Sequence, residues 1–297
     1  MKANKRFTEL PRITHPQKIL YSKQNLSKMD LVHFYQDIEE WILPELVNRP
    51  LMIKRCPDGV GSPCFYQKHP SEKLPQAVKS VSIKEKGQKD PREYLYIDSL
   101  AGLISLVQLG ALEFHTWGCR IQSLEFPDRM VFDLDPAADV AWPDVIRVAK
   151  KIHSLLLKIH LESFVKTTGG KGLHIVTSIA PKYSWDIVKA FSKMIVDFIV
   201  QEEPELYTAN MRKDVRPKKI FLDHLRNARG STFITSYSTR ANEKASVAVP
   251  LAWEELTPRI RSDYFTVKNL PKRLASLRRD PWEKINSLKQ KLPENLL

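Results

Sequence analysis

The sequence predicts an α+β fold in which mixed sheets are covered by helices. Short alternating runs rich in β-branched and aromatic residues are separated by turn residues, which marks strands. Longer segments repeat apolar residues at helical spacing among these strands, which resembles an α+β layer more than a bundle. The chain has 297 residues and is 42% hydrophobic, enough for a sizeable core in one large domain or two small ones. Its 20 prolines are scattered, with no repeat or low-complexity block, so one continuous unit over 1–297 is expected.

In chain order, Ser27 can cap a helix beginning near Met29, with Leu31, Phe34, Tyr35, Ile38, Trp41 and Ile42 at helical spacing and Pro44 near its end. PLMIKRC, VSI, YLYI and LEFHTW then read as strands, with SLAGLISLVQL helical between the last two. RMVFDLDP reads as a strand leading into a helix opened by Trp142 and Pro143, whose apolar face is Val145, Val148, Ile152, Leu155, Leu156 and Ile159. SFVKTT, a glycine turn and GLHIVTSI follow. A helix carrying Ile187, Val188, Phe191, Met194, Ile195, Phe198 and Ile199 precedes two further strands, KKIFLD and TFITSY.

Lys plus Arg is 47 against 34 Asp plus Glu, a net charge of +13, which favours a polyanionic partner, although a merely solvated basic surface has the same composition. Cys56, Cys64 and Cys119 contain no CxxC pair and are odd in number, so neither a zinc site nor a disulfide framework is expected. A reduced cytosolic setting fits them. The basic MKANKRFTELPR lacks the apolar core of a signal peptide, and no apolar run is long enough to span a bilayer, so a soluble intracellular protein is expected.

Asp133 and Asp135 in VFDLDP are two apart on a strand, so their carboxylates leave one face while Phe132 and Leu134 leave the other. Such a pair suits Mg²⁺ or Mn²⁺, and Pro136 ends the strand beside it. The plainer alternative is a strand exit whose aspartates cap a turn. Asp223 follows Ile220, Phe221 and Leu222, where a carboxylate must be paired or ligating; a salt bridge to Arg226 is the competing account. In TTGGKGLH, between two strands, Gly169, Gly170 and Gly172 let backbone N–H groups turn toward an anion, and Thr167, Thr168, Lys171 and His174 add donors and charge suited to a triphosphate. The Walker spacing is absent, and a simple glycine hairpin is the alternative. Phe65 and Tyr66 stand beside Lys68 in FYQKH, an arrangement suited to nucleobase stacking, although adjacent aromatics commonly send one ring to the core. His115 in FHTW reads by itself as a core histidine.

Taken together, FDLDP, TTGGKGLH, FLDHLRN, FYQKH, EFHTWG and FTVKNLPKRLASLRRDPW resemble the polymerase domain of bacterial ligase D, in the archaeo-eukaryotic primase superfamily, from about His15 to Trp282. The resemblance implies a primase-polymerase fold around a central cleft, with an N-terminal part at about 15–125 contacting DNA end and template, a catalytic part at 126–260 and a helical tail at 261–297. It implies Asp133, Asp135 and Asp223 as ligands of two Mn²⁺ or Mg²⁺ ions. His115, Thr168, Gly170, Lys171, His174, Arg226 and Arg240 become contacts of an incoming nucleoside triphosphate. Phe65 and Tyr66 become stacking residues near the templating base, Lys54 and Lys68 lie near DNA, and Lys18 and Lys28 match a 5′-phosphate pocket. The residues usual in the family at His15, Thr168 and Ser231 are Asn, Ser and Gln. The implied activity is template-directed addition of ribonucleotides, and of deoxyribonucleotides, to DNA 3′ ends during gap filling in non-homologous end joining. A metal-dependent nuclease and a non-catalytic DNA-end tether are the rival readings. No KxDG motif occurs, so sealing is expected from a separate or fused ATP-dependent ligase, with the ring-shaped end-binding protein Ku as a further implied partner and the nucleoid as the implied location.

Overall fold

A computed structural model describes residues 10–71, 73–85 and 87–296. The first nine residues of the basic N-terminal stretch lie outside the described residues.

The chain opens with a small hairpin, β1 (Ile19–Tyr21) and β2 (Leu26–Ser27), then α1 (Lys28–Asp37) and α2 (Glu39–Leu46). Ser27 caps α1 as expected. Its hydroxyl accepts from the Asp30 N–H while the Asp30 carboxylate accepts from the Ser27 N–H at 2.8 Å, a reciprocal box. The single helix predicted to Pro44 is instead broken at Ile38. The second piece continues past Pro44, because the carbonyl deprived of a partner there belongs to exposed Glu40 and can reach water.

β3 (Leu51–Arg55), β4 (Phe65–Gln67), the hairpin β5 (Lys79–Ile83) and β6 (Arg92–Tyr96), α3 (Leu100–Gln108) and β7 (Ala111–Thr116) follow. The second half runs β8 (Arg129–Pro136), α4 (Trp142–Lys158), β9 (Phe164–Thr167), β10 (Leu173–Ser178), α5 (Trp185–Glu202), β11 (Tyr207–Thr208) and β12 (Ile220–Asp223). β13 (Phe233–Ile234), β14 (Pro250–Leu251) and α6 (Leu270–Ser276) complete the helices and strands. The strand predicted over TFITSY shrinks to Phe233–Ile234, the two residues that pair with His115 and Thr116. In place of the helical tail expected over 261–297, the described residues 261–296 contain the seven-residue α6 and one 3₁₀ turn. Trp282 and Ile285 from this region join Phe164, Val131, Val176 and Phe233 in a small core.

Two sheets frame the molecule. One has the order β11-β12-β8-β10-β9-β14, antiparallel except at β11–β12, and the other is β13-β7-β3-β4, all antiparallel. The mixed pairing and covering helices are those the sequence predicts. Helices α4 and α5 pack on the six-stranded sheet, burying Phe132, Leu134, Leu173 and Ile175 with Val145, Ile152 and Val188. Each fully buried aliphatic side chain contributes about 1.5–3 kcal/mol, so this face anchors the sheet. Where β3 turns into β4, Cys56 and Cys64 form a disulfide with Cα atoms 4.4 Å apart, contrary to the expectation from sequence; Cys119 is buried and free. The hairpin brings together two cysteines whose spacing matches no local motif.

Candidate active site

Cross-strand register builds the site. On the face of the large sheet turned away from α4 and α5, Asp223 of β12 is opposite Asp133 of β8, Asp133 is opposite His174 of β10, and His174 is opposite Lys166 of β9. Facing partners on an antiparallel sheet share a side, so acid, acid, imidazole and ammonium form one row. Asp135, two residues beyond Asp133, shares that side and reaches the strand end.

The acidic residues shape one another's titration. Burial opposes ionisation of Asp133, yet the His174 imidazole, 3.4 Å away, and the Arg226 guanidinium hold its carboxyl down at about 2. Burial and the neighbouring Asp133 charge push Asp135 and Asp223 above the ordinary carboxylate range, despite Arg216 beside the first and Arg226 beside the second. Arg226 Nε stands 3.2 Å from both Asp133 and Asp223, so the salt bridge weighed against a ligating role is present and shared by two aspartates. Among the described residues no cluster of three or more His, Cys, Asp or Glu side chains stands ready to chelate. The donor set nevertheless fits a hard divalent cation: three carboxylates on one face, two of them disfavoured as anions by burial and by a third.

The glycine loop crosses the end of this row. Gly172, just before β10, runs so close to β8 that a Cβ would lie 1.7 Å from the Leu134 carbonyl oxygen. Gly169 has φ +67°, a left-handed conformation that glycine adopts without strain. The Thr168 hydroxyl is occupied within the loop, accepting from the Gly170 and Gly172 N–H groups at 3.3 Å and donating to the Gly172 carbonyl at 3.0 Å. Lys171 is exposed on the loop, close enough that its charge partly offsets the upward shift of Asp135.

Across a cleft of about 510 Å³ stands the four-stranded sheet, contributing Met52, Tyr66, His115 and Ile234; Thr168, Gly170, Lys171, His174, Arg226 and Arg240 line the cleft as well. A volume of that size suits one nucleotide. His115 is nearly buried, as a core histidine would be, but it lies at the cleft wall. Phe65 and Tyr66 both stay at the surface, against the expectation that one ring joins the core. Arg55 lies 5.2 Å from the Phe65 ring and Lys54 5.8 Å from the Tyr66 ring. Lys68 pairs with Glu85 at 2.8 Å. Lys18 and Lys28 do not line the cleft. They lie near each other, Lys18 paired with Asp58 at 2.7 Å, and the buried Lys28 ammonium donates to the Thr14 carbonyl at 2.8 Å. Asp223 touches the cleft's aspartates through Arg226 and does not line it directly.

Sequence reasoning missed Arg216, 3.5 Å from Asp135 and stacked on Phe221 at 3.7 Å, and Glu113, buried behind His115. Arg216 stood in the basic run RKDVRPKK, which could have drawn attention to it. Nothing local singles out Glu113.

Paired carboxylates beside a glycine loop that presents Lys171, with Arg226 and Arg240 on the same nucleotide-sized cleft, define an enzyme of metal-assisted phosphoryl or nucleotidyl transfer. The sequence matches the family described as LigD, primase-polymerase domain, over residues 27–282, and the chain belongs to that family, which makes it a nucleotidyltransferase. It is 35% identical over 283 residues to a multifunctional non-homologous end joining protein LigD of Pseudomonas aeruginosa, covering 95% of this chain and 33% of the relative. A protein of the same description from Mycolicibacterium smegmatis is 30% identical over 256 residues, covering 85% of this chain and 33% of the relative. The chain thus spans about a third of the length of these relatives. Its fold matches the polymerase domain of Mycobacterium tuberculosis ligase D solved in complex with DNA, with a TM-score of 0.87 and 28% identity, covering 95% of this chain and all of that one. Among the described residues no helix is long and apolar enough to cross a membrane.

Proposed function

We propose that this chain is one catalytic unit that adds ribonucleotides, and deoxyribonucleotides, to DNA 3′ ends under template direction, filling gaps during non-homologous end joining in the bacterial cytoplasm at the nucleoid. The observation that carries this reading is the register row Asp223, Asp133 and His174, with Asp135 beside it, at the edge of a cleft that Lys171, Arg226 and Arg240 also line. Asp133, Asp135 and Asp223 would hold two Mn²⁺ or Mg²⁺ ions, which would activate the primer 3′-hydroxyl and stabilise charge on the leaving pyrophosphate.

The remaining work falls to the chain itself. Lys171, Arg226 and Arg240 neutralise the triphosphate from fixed positions, His174 lines the same pocket beside Asp133, and the loop at Gly170 lets the triphosphate approach the backbone. His115 contributes to the nucleotide pocket from the opposite wall. Exposed Phe65 and Tyr66 stack on bases of the template, with Lys54 and Lys68 near its phosphates. Lys18 and Lys28 receive the 5′-phosphate at the far side of the gap, which must displace Asp58 from Lys18. Ligation and end tethering belong to an ATP-dependent ligase, fused or separate, and to Ku.

The test is a gapped duplex incubated with each nucleotide and Mn²⁺. Lengthening supports the proposal, shortening indicates a nuclease, and retention without change indicates a tether. Asp133→Ala is expected to abolish lengthening while leaving the circular dichroism spectrum unchanged; a variant that still extends primers removes the assignment.

A further inference from the structure

Glu113 is a buried carboxylate on the cleft-facing side of β7, two residues from His115. Its two oxygens divide their work. Oε2 lies 2.9 Å from His115 Nε2, while Oε1 accepts the Ala241 N–H at 2.9 Å and lies 3.5 Å from Arg240 Nε and 3.8 Å from Lys54 Nζ. Arg240 in turn lies over the glycine loop, its Cγ 2.8 Å from where a Cβ on Gly169 would stand. One carboxylate therefore connects the histidine of one cleft wall to the arginine that lies across the other.

A carboxylate accepts hydrogen bonds and cannot donate them while ionised. Burial works against the Glu113 charge, but His115 and Arg240 hold its carboxyl down at about 2, so it is ionised throughout the neutral range. The hydrogen on His115 must then be on Nε2. Burial lowers the His115 pKa, with Arg240 and Arg226 acting in the same direction and Glu113 opposing, so the ring is neutral near pH 7.

We infer that Glu113 is a positioning residue that fixes His115 as the Nε2–H tautomer, so that Nδ1 offers the nucleotide pocket a hydrogen-bond acceptor. The inference rests on the proposed function for its substrate and refines it. A phosphate oxygen is itself an acceptor and cannot meet a bare Nδ1. The partner of His115 is a donor on the nucleotide, a sugar hydroxyl or a base amine, and the triphosphate is left to Lys171, Arg226 and Arg240.

Histidine-labelled protein settles the tautomer by ¹⁵N NMR, because a protonated and a bare ring nitrogen have well-separated shifts. The expected spectrum of the wild type at neutral pH shows His115 with Nε2 protonated and Nδ1 bare; the reverse tautomer, or an imidazolium, overturns the inference. Glu113→Gln supplies the functional test. With the glutamine oxygen kept on the Ala241 N–H, its amide presents hydrogens to Nε2, so the ring must exchange tautomers and turn a donor toward the pocket. The Michaelis constant for nucleotide is expected to rise roughly tenfold, the worth of one hydrogen bond of about 1.4 kcal/mol, with kcat changed much less. In a His115→Ala background the same substitution is expected to add little. An equal penalty with and without His115 overturns the assignment, as does an unchanged Michaelis constant. If the variant does not fold, the wild-type spectrum still decides. If the wild type extends no primer, the proposed function fails while the tautomer stands or falls on the spectrum alone.

Discussion

Gly172→Ala tests whether the geometry of the aspartate strand depends on the glycine loop. Gly172 lacks the positive φ of Gly169, so a methyl group there meets no unusual backbone penalty. It meets a neighbour instead: the added Cβ would lie 1.7 Å from the Leu134 carbonyl oxygen, where ordinary contact starts at 3.4 Å. Strands β8 and β10 must therefore part by about half that contact distance, some 1.7 Å, at the point where Leu134 separates Asp133 from Asp135. Overpacking of this kind costs roughly 1–3 kcal/mol of stability. A misplacement of about 1 Å at reacting groups costs on the order of 100-fold in rate. Primer extension under saturating nucleotide, with chemical denaturation run in parallel, is expected to show both losses, the rate falling by two orders of magnitude while most of the protein stays folded. A variant that extends primers at the wild-type rate would refute the claim that this approach sets the aspartate geometry.

Two other perturbations probe the frame and the rim. Asp128 is gripped by Arg49 at 2.6 and 2.7 Å and lies near Arg129; burial opposes its charge, but these cations hold its carboxyl at about 2 against an ordinary value of 3.8. A depressed carboxylate contributes stability that is complete above its unfolded pKa and is lost as pH falls through about 4 toward about 2, here on the order of 2 kcal/mol. Denaturation midpoints measured from pH 6 to pH 2 should show that loss in the wild type, and Asp128→Asn should lower stability at pH 7 by roughly 3–5 kcal/mol because two buried guanidinium groups lose their partner; a flat profile in the wild type would contradict the assignment. The double variant Phe65→Ala, Tyr66→Ala removes two exposed rings, so stability should change by no more than about 0.5 kcal/mol per site. Affinity for a single-stranded template overhang, followed by fluorescence anisotropy, should fall by roughly 1–3 kcal/mol per stacked base, and unaltered affinity would place the template elsewhere.

Local sequence determined a definite part of this protein. Alternation put Asp133 and Asp135 on one side of a strand, Ser27 and Asp30 started α1, the apolar stripe from Val145 to Leu156 specified the face α4 buries, and the glycines of TTGGKGLH marked the loop. These features depend on residues a few positions apart, within reach of strand and helix periodicity. Tertiary structure decided the rest. Pairing of β12 with β8 set Asp223 opposite Asp133, and Arg226 reached Asp133 from 93 residues away. The β3–β4 hairpin kept Phe65 and Tyr66 at the surface and joined Cys56 to Cys64. Packing of the segment around Arg240 against β7 enclosed Glu113 with His115, a grouping that no periodicity encodes. Register and packing follow from which distant segments exclude water together, and that choice is made by the whole chain.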